Sequence, residues 1–161
     1  MSSTPRVAIL MGSDSDWDVM SAAEQRLRAF GVASEVHVMS AHRTPARVAE
    51  FAGHARSRGF GVMIVGAGAA AHLAGVVAAH TILPVIGVPM ATSALNGLDS
   101  LLSTVQMPKG VPVATVAIGV SGAANAGLLA VAILATSRPE LRAKLQAYRD
   151  ELSADVKNQT L

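Results

Sequence analysis

The chain has 161 residues, of which 51% are hydrophobic and only 15% charged, with a formal net charge of +2. A charged fraction well below the usual ~25% excludes a disordered chain, which needs low hydrophobicity and high charge. The absence of cysteine excludes disulfides and thiolate metal sites. The weak charge, with no basic run carrying interleaved aromatics, gives no support to nucleic-acid binding. The length suits one domain over residues 1–161, which at this size buries roughly 70% of its unfolded surface. Aromatics are only 3%, against 30 alanines and 14 glycines, so the core must use small aliphatic residues and close helix contacts. The stretch Met1–Arg6 shows no basic segment, long apolar run or cleavage site of a leader, and a cytoplasmic protein is expected.

In chain order, the apolar run Val7–Met11 reads as a buried strand, followed by a turn at Gly12-Ser13-Asp14-Ser15-Asp16. Trp17–Phe30 has helical spacing and stops at Gly31. Ser34–Met39 is a second strand and Ser40–Arg43 a loop. Thr44 is placed to cap a helix with Pro45 at its first position, running to about Arg58. Gly61–Val65 is a third strand, then come the glycine-alanine stretch Gly66–Ala71 and a helix to about His80. Leu83–Val88 is a fourth strand, Leu98–Ser103 a short helix, Val113–Ile118 a fifth strand and Ser121–Thr136 a fifth helix. Ser137-Arg138-Pro139-Glu140 has the form of a capping box opening a charged terminal helix over about Pro139–Val156, which can reach across to a neighbour.

Strands alternating with helices predict a parallel sheet wrapped on both faces. Apolar strand runs are what burial on both faces requires. Five strands fit a flavodoxin-like three-layer α/β sandwich with right-handed crossovers. Charge is missing from one region: between Phe60 and Ser137 only Asp99 and Lys109 are formally charged. The helical stretches near Ala70–His80 and Ser121–Thr136 therefore lack a charged outer face. Membrane spans need ~20 apolar residues, and glycines, His72 and Asn125 interrupt these stretches. A homo-oligomer that buries helix faces between subunits is the expectation, not a membrane protein.

In such a sheet, ligands bind beyond the carboxyl ends of the strands, near the switch in strand order. The first three strand-end loops should meet there. Gly12–Asp16 offers backbone amides and serine hydroxyls suited to phosphate, and a carboxylate suited to ribose hydroxyls; its Ser and Asp residues are also ordinary helix caps. Ser40-Ala41-His42-Arg43 offers a phosphate-binding arginine and a histidine able to act as acid or base, or simply a capped surface loop. The run from Gly66 to Leu73 allows close backbone approach to a ligand, or tight helix packing with His72 as a partly buried structural residue. His37, His54 and His80 read as structural or surface residues, the methionines as core filler, and Asn125 as a buried hydrogen-bonding group. No metal cluster, Walker loop or dinucleotide fingerprint is present in the sequence.

Taken together, Gly-Ser-Asp-Ser-Asp-Trp from Gly12, Ser-Ala-His-Arg-Thr-Pro from Ser40 and Gly-Ala-Gly-Ala-Ala-Ala-His-Leu from Gly66 resemble the N5-carboxyaminoimidazole ribonucleotide mutases. So do Gly87-Val88-Pro89, Gly97–Ser103, Gln106–Pro112 and Ala123–Ala126, in order from about Arg6 to Tyr148. The resemblance implies a flavodoxin-like homo-octamer of de novo purine synthesis that needs no metal, ATP or biotin. It implies transfer of a carboxylate from the exocyclic nitrogen of the ribonucleotide to ring carbon C4. By motif it sets Gly12, Ser13, Asp16, Ser40, Ala41, Arg43, Gly68 and Ala69 against the substrate, with Arg43 on its phosphate. It makes His42 the general acid/base and His72 the active-site histidine of the third loop. The chain departs from the family at two positions, Ala69 in place of the usual glycine and Ala74 in place of proline, both beside His72.

The nearest rival is a carboxylase that adds free CO2 to aminoimidazole ribonucleotide; the form of the second loop is closer to the mutase branch. A nucleotide sensor on the same fold gives no reason for two histidines in the loops. A receiver-type domain would want an acidic pair at the first strand end and a lysine after the last strand, whereas Lys109 precedes it. A purely structural oligomer needs none of the three loops.

Overall fold

The structure is a computed structural model and describes residues 5–157. Met1–Thr4, the larger part of the stretch read for a leader, lie outside them. Five parallel strands, β1 Arg6–Met11, β2 Ser34–Val38, β3 Phe60–Ala67, β4 Val85–Pro89 and β5 Ala114–Thr115, form one sheet in the order β2-β1-β3-β4-β5. This is the flavodoxin-like order. Among the described residues, six α-helices surround it: α1 Trp17–Ala29, α2 Pro45–His54, α3 Leu73–His80, α4 Leu98–Val105, α5 Val120–Ala135 and α6 Pro139–Lys157.

Alternation along β1 assigns the two faces. Val7, Ile9 and Met11 point into one cluster with Met20, Ala23 and Leu27 of α1 and Ala123, Ala126, Ala130 and Val131 of α5. Ala8 and Leu10 point into the other with Val48, Phe51 and Ala52 of α2 and Leu73, Ala74 and Val77 of α3. A Cβ on Gly87 of β4 would meet Thr104 of α4 at 2.5 Å and Ala74 of α3 at 3.5 Å, so α4 shares the α3 face. The alanine-rich composition works through close helix contact. At Gly127, a Cβ would sit 2.8 Å from the Ala23 carbonyl oxygen, so only glycine lets α5 come this near α1.

Several expectations shift in detail. The central strands β1, β3 and β4 are buried almost throughout, but β2 is an edge strand that leaves Val36 and Val38 exposed. Its Glu35 instead pairs with Arg6, Arg58 and His37. β5 is two residues long, not six. Pro112 has no amide to donate, and after Val116 gives its amide to Gly87 the chain bends toward Gly119, the residue before α5. α2 ends at His54 rather than Arg58, because tighter turns lead to Gly59 at φ 86°. Thr44 does occupy the N-cap position of α2, with Pro45 first in the helix, but its side chain makes no cap bond: its hydroxyl accepts from the Ser40 amide and donates to the Ser40 carbonyl, both at 3.0 Å. No capping box forms at Ser137, whose hydroxyl donates to Leu134 while Glu140 accepts from Arg138. Asn125 is exposed on α5.

The first half of α6 docks on the end of α1. Leu141 is buried, Lys144 donates to the Phe30 carbonyl at 3.0 Å, and Tyr148 meets Phe30 edge-on. A lysine there complements the negative end of the α1 dipole. From Arg149 to Lys157 the helix is exposed.

Candidate active site

The loops after β1, β2 and β3 converge at the carboxyl edge of the sheet, where the strand order reverses. Between them lies a cavity of about 460 Å³ lined by Gly12, Ser13, Asp16, Ser40, Ala41, His42, Arg43, Ala67, Gly68, Ala70 and Leu73. Eight of the ten residues expected from the sequence to form the site are in its wall. Ala69 and His72 are not, and His72 is joined to the cavity through His42. A larger hollow of about 590 Å³ flanks β2 and α2 and holds none of the expected residues.

The first loop is locally satisfied. Ser13 has extended backbone geometry and caps a short 3₁₀ turn, Asp14–Asp16, ahead of α1. Its hydroxyl accepts from the Ser15 amide at 3.3 Å, and its own amide donates to Asp16 Oδ2 at 3.2 Å. This is the chain's capping box among the described residues, 124 positions before the predicted one. The cap reading of this loop holds, and the capping residues also face the cavity. Burial pushes the Asp16 carboxyl above its ordinary range. The Ser13 and Gly12 amides pull it back down, and nearby Asp14 adds to the rise.

The second loop is folded on itself by the paired Ser40–Thr44 bonds and by the Arg43 amide, which donates to Ser40 Oγ at 3.2 Å. Arg43 then reaches across the cavity, its Nη2 donating to the Gly12 carbonyl at 2.8 Å. One edge of the guanidinium thus ties the second loop to the first. Its remaining donors make no contact among the described residues and can serve an anion.

The third loop is strained. Ala69 has φ 53°, a left-handed conformation that costs an L-residue about 1–2 kcal/mol. Here the resemblance expects glycine, and the geometry explains why glycine would suit. The loop closes through tight bonds from Ala71 to Ala69 and from His72 to Ala70, both 2.8 Å. Ser103 of α4 adds a third tie, accepting from the Ala71 amide at 3.1 Å. Ala74, the other departure, is buried in the first turn of α3, where either alanine or proline is tolerated.

His42 and His72 meet at this edge. His42 Nε2 lies 2.8 Å from His72 Nδ1, with the rings nearly perpendicular at 77°. Such a bond needs one nitrogen carrying a proton and one without, so the pair can hold a proton at a defined place while the outer ring atoms remain exposed. His72 is exposed rather than partly buried, and its one side-chain partner among the described residues is His42. Sequence reasoning missed Ala67, Ala70 and Leu73 in the wall, and Ser103 behind it. The first three belong to a stretch already singled out; Ser103 lies 32 residues from Ala71 and closes the Gly97–Ser103 motif, to which sequence reasoning gives no role at the site. Among the described residues, no group of three or more His, Cys, Asp or Glu side chains could hold a metal ion, and no helix is long and apolar enough to cross a membrane.

Fold and site together define a flavodoxin-like α/β protein with a cavity bearing an arginine, an aspartate and a histidine at its topological switch point. The chain belongs to the AIR carboxylase family, whose model matches residues 6–155. It is 59% identical over 152 residues to an N5-carboxyaminoimidazole ribonucleotide mutase of Mycobacterium tuberculosis, covering 94% of this chain and 86% of the relative. It is 56% identical to the mutase of Vibrio vulnificus, covering 94% of each. Among solved structures, Treponema denticola PurE superposes with a TM-score of 0.86 at 27% identity, covering 94% of each chain.

Proposed function

We propose that this site catalyses the N5-carboxyaminoimidazole ribonucleotide mutase reaction of purine biosynthesis. The observation that carries the reading is the His42–His72 pair at 2.8 Å beside a cavity walled by Arg43, Ser13, Ser40 and Asp16. Arg43 and the serine hydroxyls bind the phosphate, and Asp16 accepts from the ribose hydroxyls. The carbamate nitrogen takes a proton as its bond to the carboxyl carbon breaks, giving aminoimidazole ribonucleotide and CO2. Carbon C4 attacks the retained CO2, and the tetrahedral C4 then loses its proton to restore the aromatic ring. One proton enters and one leaves, so a single histidine can carry both transfers. His42, in the cavity wall, is that histidine; His72 holds its ring in one orientation. The small residues Ala67, Gly68 and Ala70 in the wall limit the space from which CO2 could escape, and anchoring of the phosphate makes recapture effectively intramolecular.

The nearest alternative, carboxylation by free CO2, is tested in the same experiment. Purified protein, without added metal or ATP, is given either N5-carboxyaminoimidazole ribonucleotide at low bicarbonate or aminoimidazole ribonucleotide with CO2. The mutase reading expects efficient product in the first arm alone. Efficient use of the second at modest CO2 replaces it with the carboxylase, and nucleotide binding without turnover in either arm replaces it with a sensor. His42→Asn is expected to retain nucleotide binding and lose turnover by about 10²–10⁴-fold; near-normal turnover removes His42 from its role.

The enzyme works as a cytoplasmic homo-oligomer, an octamer by family resemblance. Support comes from the outer stripe of α5, which carries Val120, Ser121, Asn125 and Leu129 and no charge, and from exposed Leu98, Leu102 and Val105 on α4. Uncharged helix faces that expose large apolar side chains in this way are characteristic of surface buried by another subunit. Sedimentation velocity giving a 16.4 kDa monomer at micromolar concentration overturns the assembly.

A further inference from the structure

We propose that Ser103 is a positioning residue for this reaction: from α4 it holds the third loop so that His72 meets His42. The inference rests on the mutase reading for its kinetic arm only.

Ser103 Oγ lies 2.7 Å from the Asp99 carbonyl, one helical turn back, and 3.2 Å from the Ala69 carbonyl. A hydroxyl has one proton, and the shorter contact takes it. That fixes the hydroxyl's lone pairs toward the Ala71 amide, which donates to it at 3.1 Å. Ala71 is fully buried, while Ala69, Ala70 and His72 around it are exposed. The clamp therefore grips the loop at its inward-facing residue, between left-handed Ala69 and His72. Without it the Ala71 amide keeps only its tight bond to Ala69, within a turn that is already strained. His72, one residue on, loses its fixed position.

The clamp is itself anchored. Thr92 donates to Asp99 Oδ1 at 2.7 Å and accepts from the Gly97 amide at 3.3 Å, which locks the start of α4. Ser100 supplies an internal control. It lies on the same helix, it is fully buried, and its hydroxyl has no partner among the described residues.

The test compares Ser103→Ala, Ser103→Thr and Ser100→Ala in the full chain. Ser103→Ala is expected to lower kcat by about 10–100-fold with KM unchanged, because a misplacement of about 1 Å can cost this much. Ser103→Thr, which keeps the hydroxyl, restores most of it, and Ser100→Ala matches the parent. The imidazole ¹⁵N signals of His42 and His72 are expected to move in Ser103→Ala and to stay in Ser100→Ala. These signals need no turnover, so they read the clamp even if the parent protein fails the mutase assay. Unmoved histidine signals in a folded Ser103→Ala protein overturn the proposal. So does parental kcat in that variant, or an equal loss in Ser100→Ala.

Discussion

The first and third loops approach the same cavity from adjacent strand ends, and they are held in opposite ways. Gly12–Asp16 carries its own fastening: Ser13 and Asp16 satisfy each other's backbone within four residues. Ala69–His72 has an alanine in a left-handed conformation and depends on Ser103, brought in from a distant helix. A loop that binds an anchoring group can be locally rigid, because its task is the same in every state of the reaction. A loop that sets one histidine against another must be held from outside, because its own backbone would relax. The difference makes the third loop the more vulnerable of the two.

Arg43 offers the largest effect, since it both faces the cavity and ties the second loop to the first. Arg43→Met removes the donors assigned to the phosphate and the tie to Gly12. Hydrogen bonds to charged groups contribute about 1.5–3 kcal/mol, so KM for the ribonucleotide is expected to rise by roughly 10–100-fold. If the first loop is self-fastened, folding stability in urea changes by less than ~0.5 kcal/mol, as for an ordinary surface substitution. A large stability loss would mean that the first loop leans on Arg43 and that the contrast is false.

Two smaller substitutions should act with opposite sign. Ser13→Ala removes the cap, at a cost of about 1 kcal/mol. Ala69→Gly relieves a left-handed residue worth about 1–2 kcal/mol, against about 0.4–1 kcal/mol of added chain entropy in the unfolded state. A net gain of about 0.5–1 kcal/mol is expected. Urea titrations of both variants at one protein concentration read the two signs together. A loss of stability in Ala69→Gly would show that the alanine side chain contributes packing that outweighs its strain.

The same contrast explains what could be read from the sequence. Val7–Met11 and the third and fourth apolar runs were legible as central strands because burial on both faces leaves no room for polar residues. Loops one and two were legible because their chemistry is local: Ser13, Asp16, Ser40, His42 and Arg43 lie within a few residues of their strand ends. Thr44 misled because Ser40, also local, competes for its hydroxyl. Ser137 misled because a helical carbonyl at Leu134 and the Arg138 guanidinium offered nearer partners to both halves of its expected box. Asn125 was expected inside because its neighbours are apolar, yet it lies on the outward stripe of α5. Ser103 lies in the Gly97–Ser103 motif, but its role could not be read from it, since its contact with Ala71 exists only after β4 and α4 are placed. The shortness of β5 likewise depends on where β4 ends, beside Pro89.

The smallest effect isolates the titration of the first loop. Burial raises the folded-state pKa of Asp16 above its ordinary value of 3.8, the opposing Ser13 and Gly12 amides notwithstanding. The folded protein therefore binds this proton more tightly than the unfolded chain does. Its contribution to stability is complete below the unfolded pKa and is lost as pH rises through the folded one. Asp16→Asn keeps an oxygen able to accept from the Ser13 amide but cannot titrate. The stability of the parent minus that of Asp16→Asn is therefore expected to fall with rising pH across the acid range, then to level off. Taking the difference cancels the carboxylates the two proteins share, including Glu140, whose bond to Arg138 lowers its pKa and gives a slope of the opposite sign. A difference that instead grows with pH would mean that the backbone amides, not burial, govern Asp16. The first loop would then be fastened chiefly by charge, and high salt should loosen it more than the third.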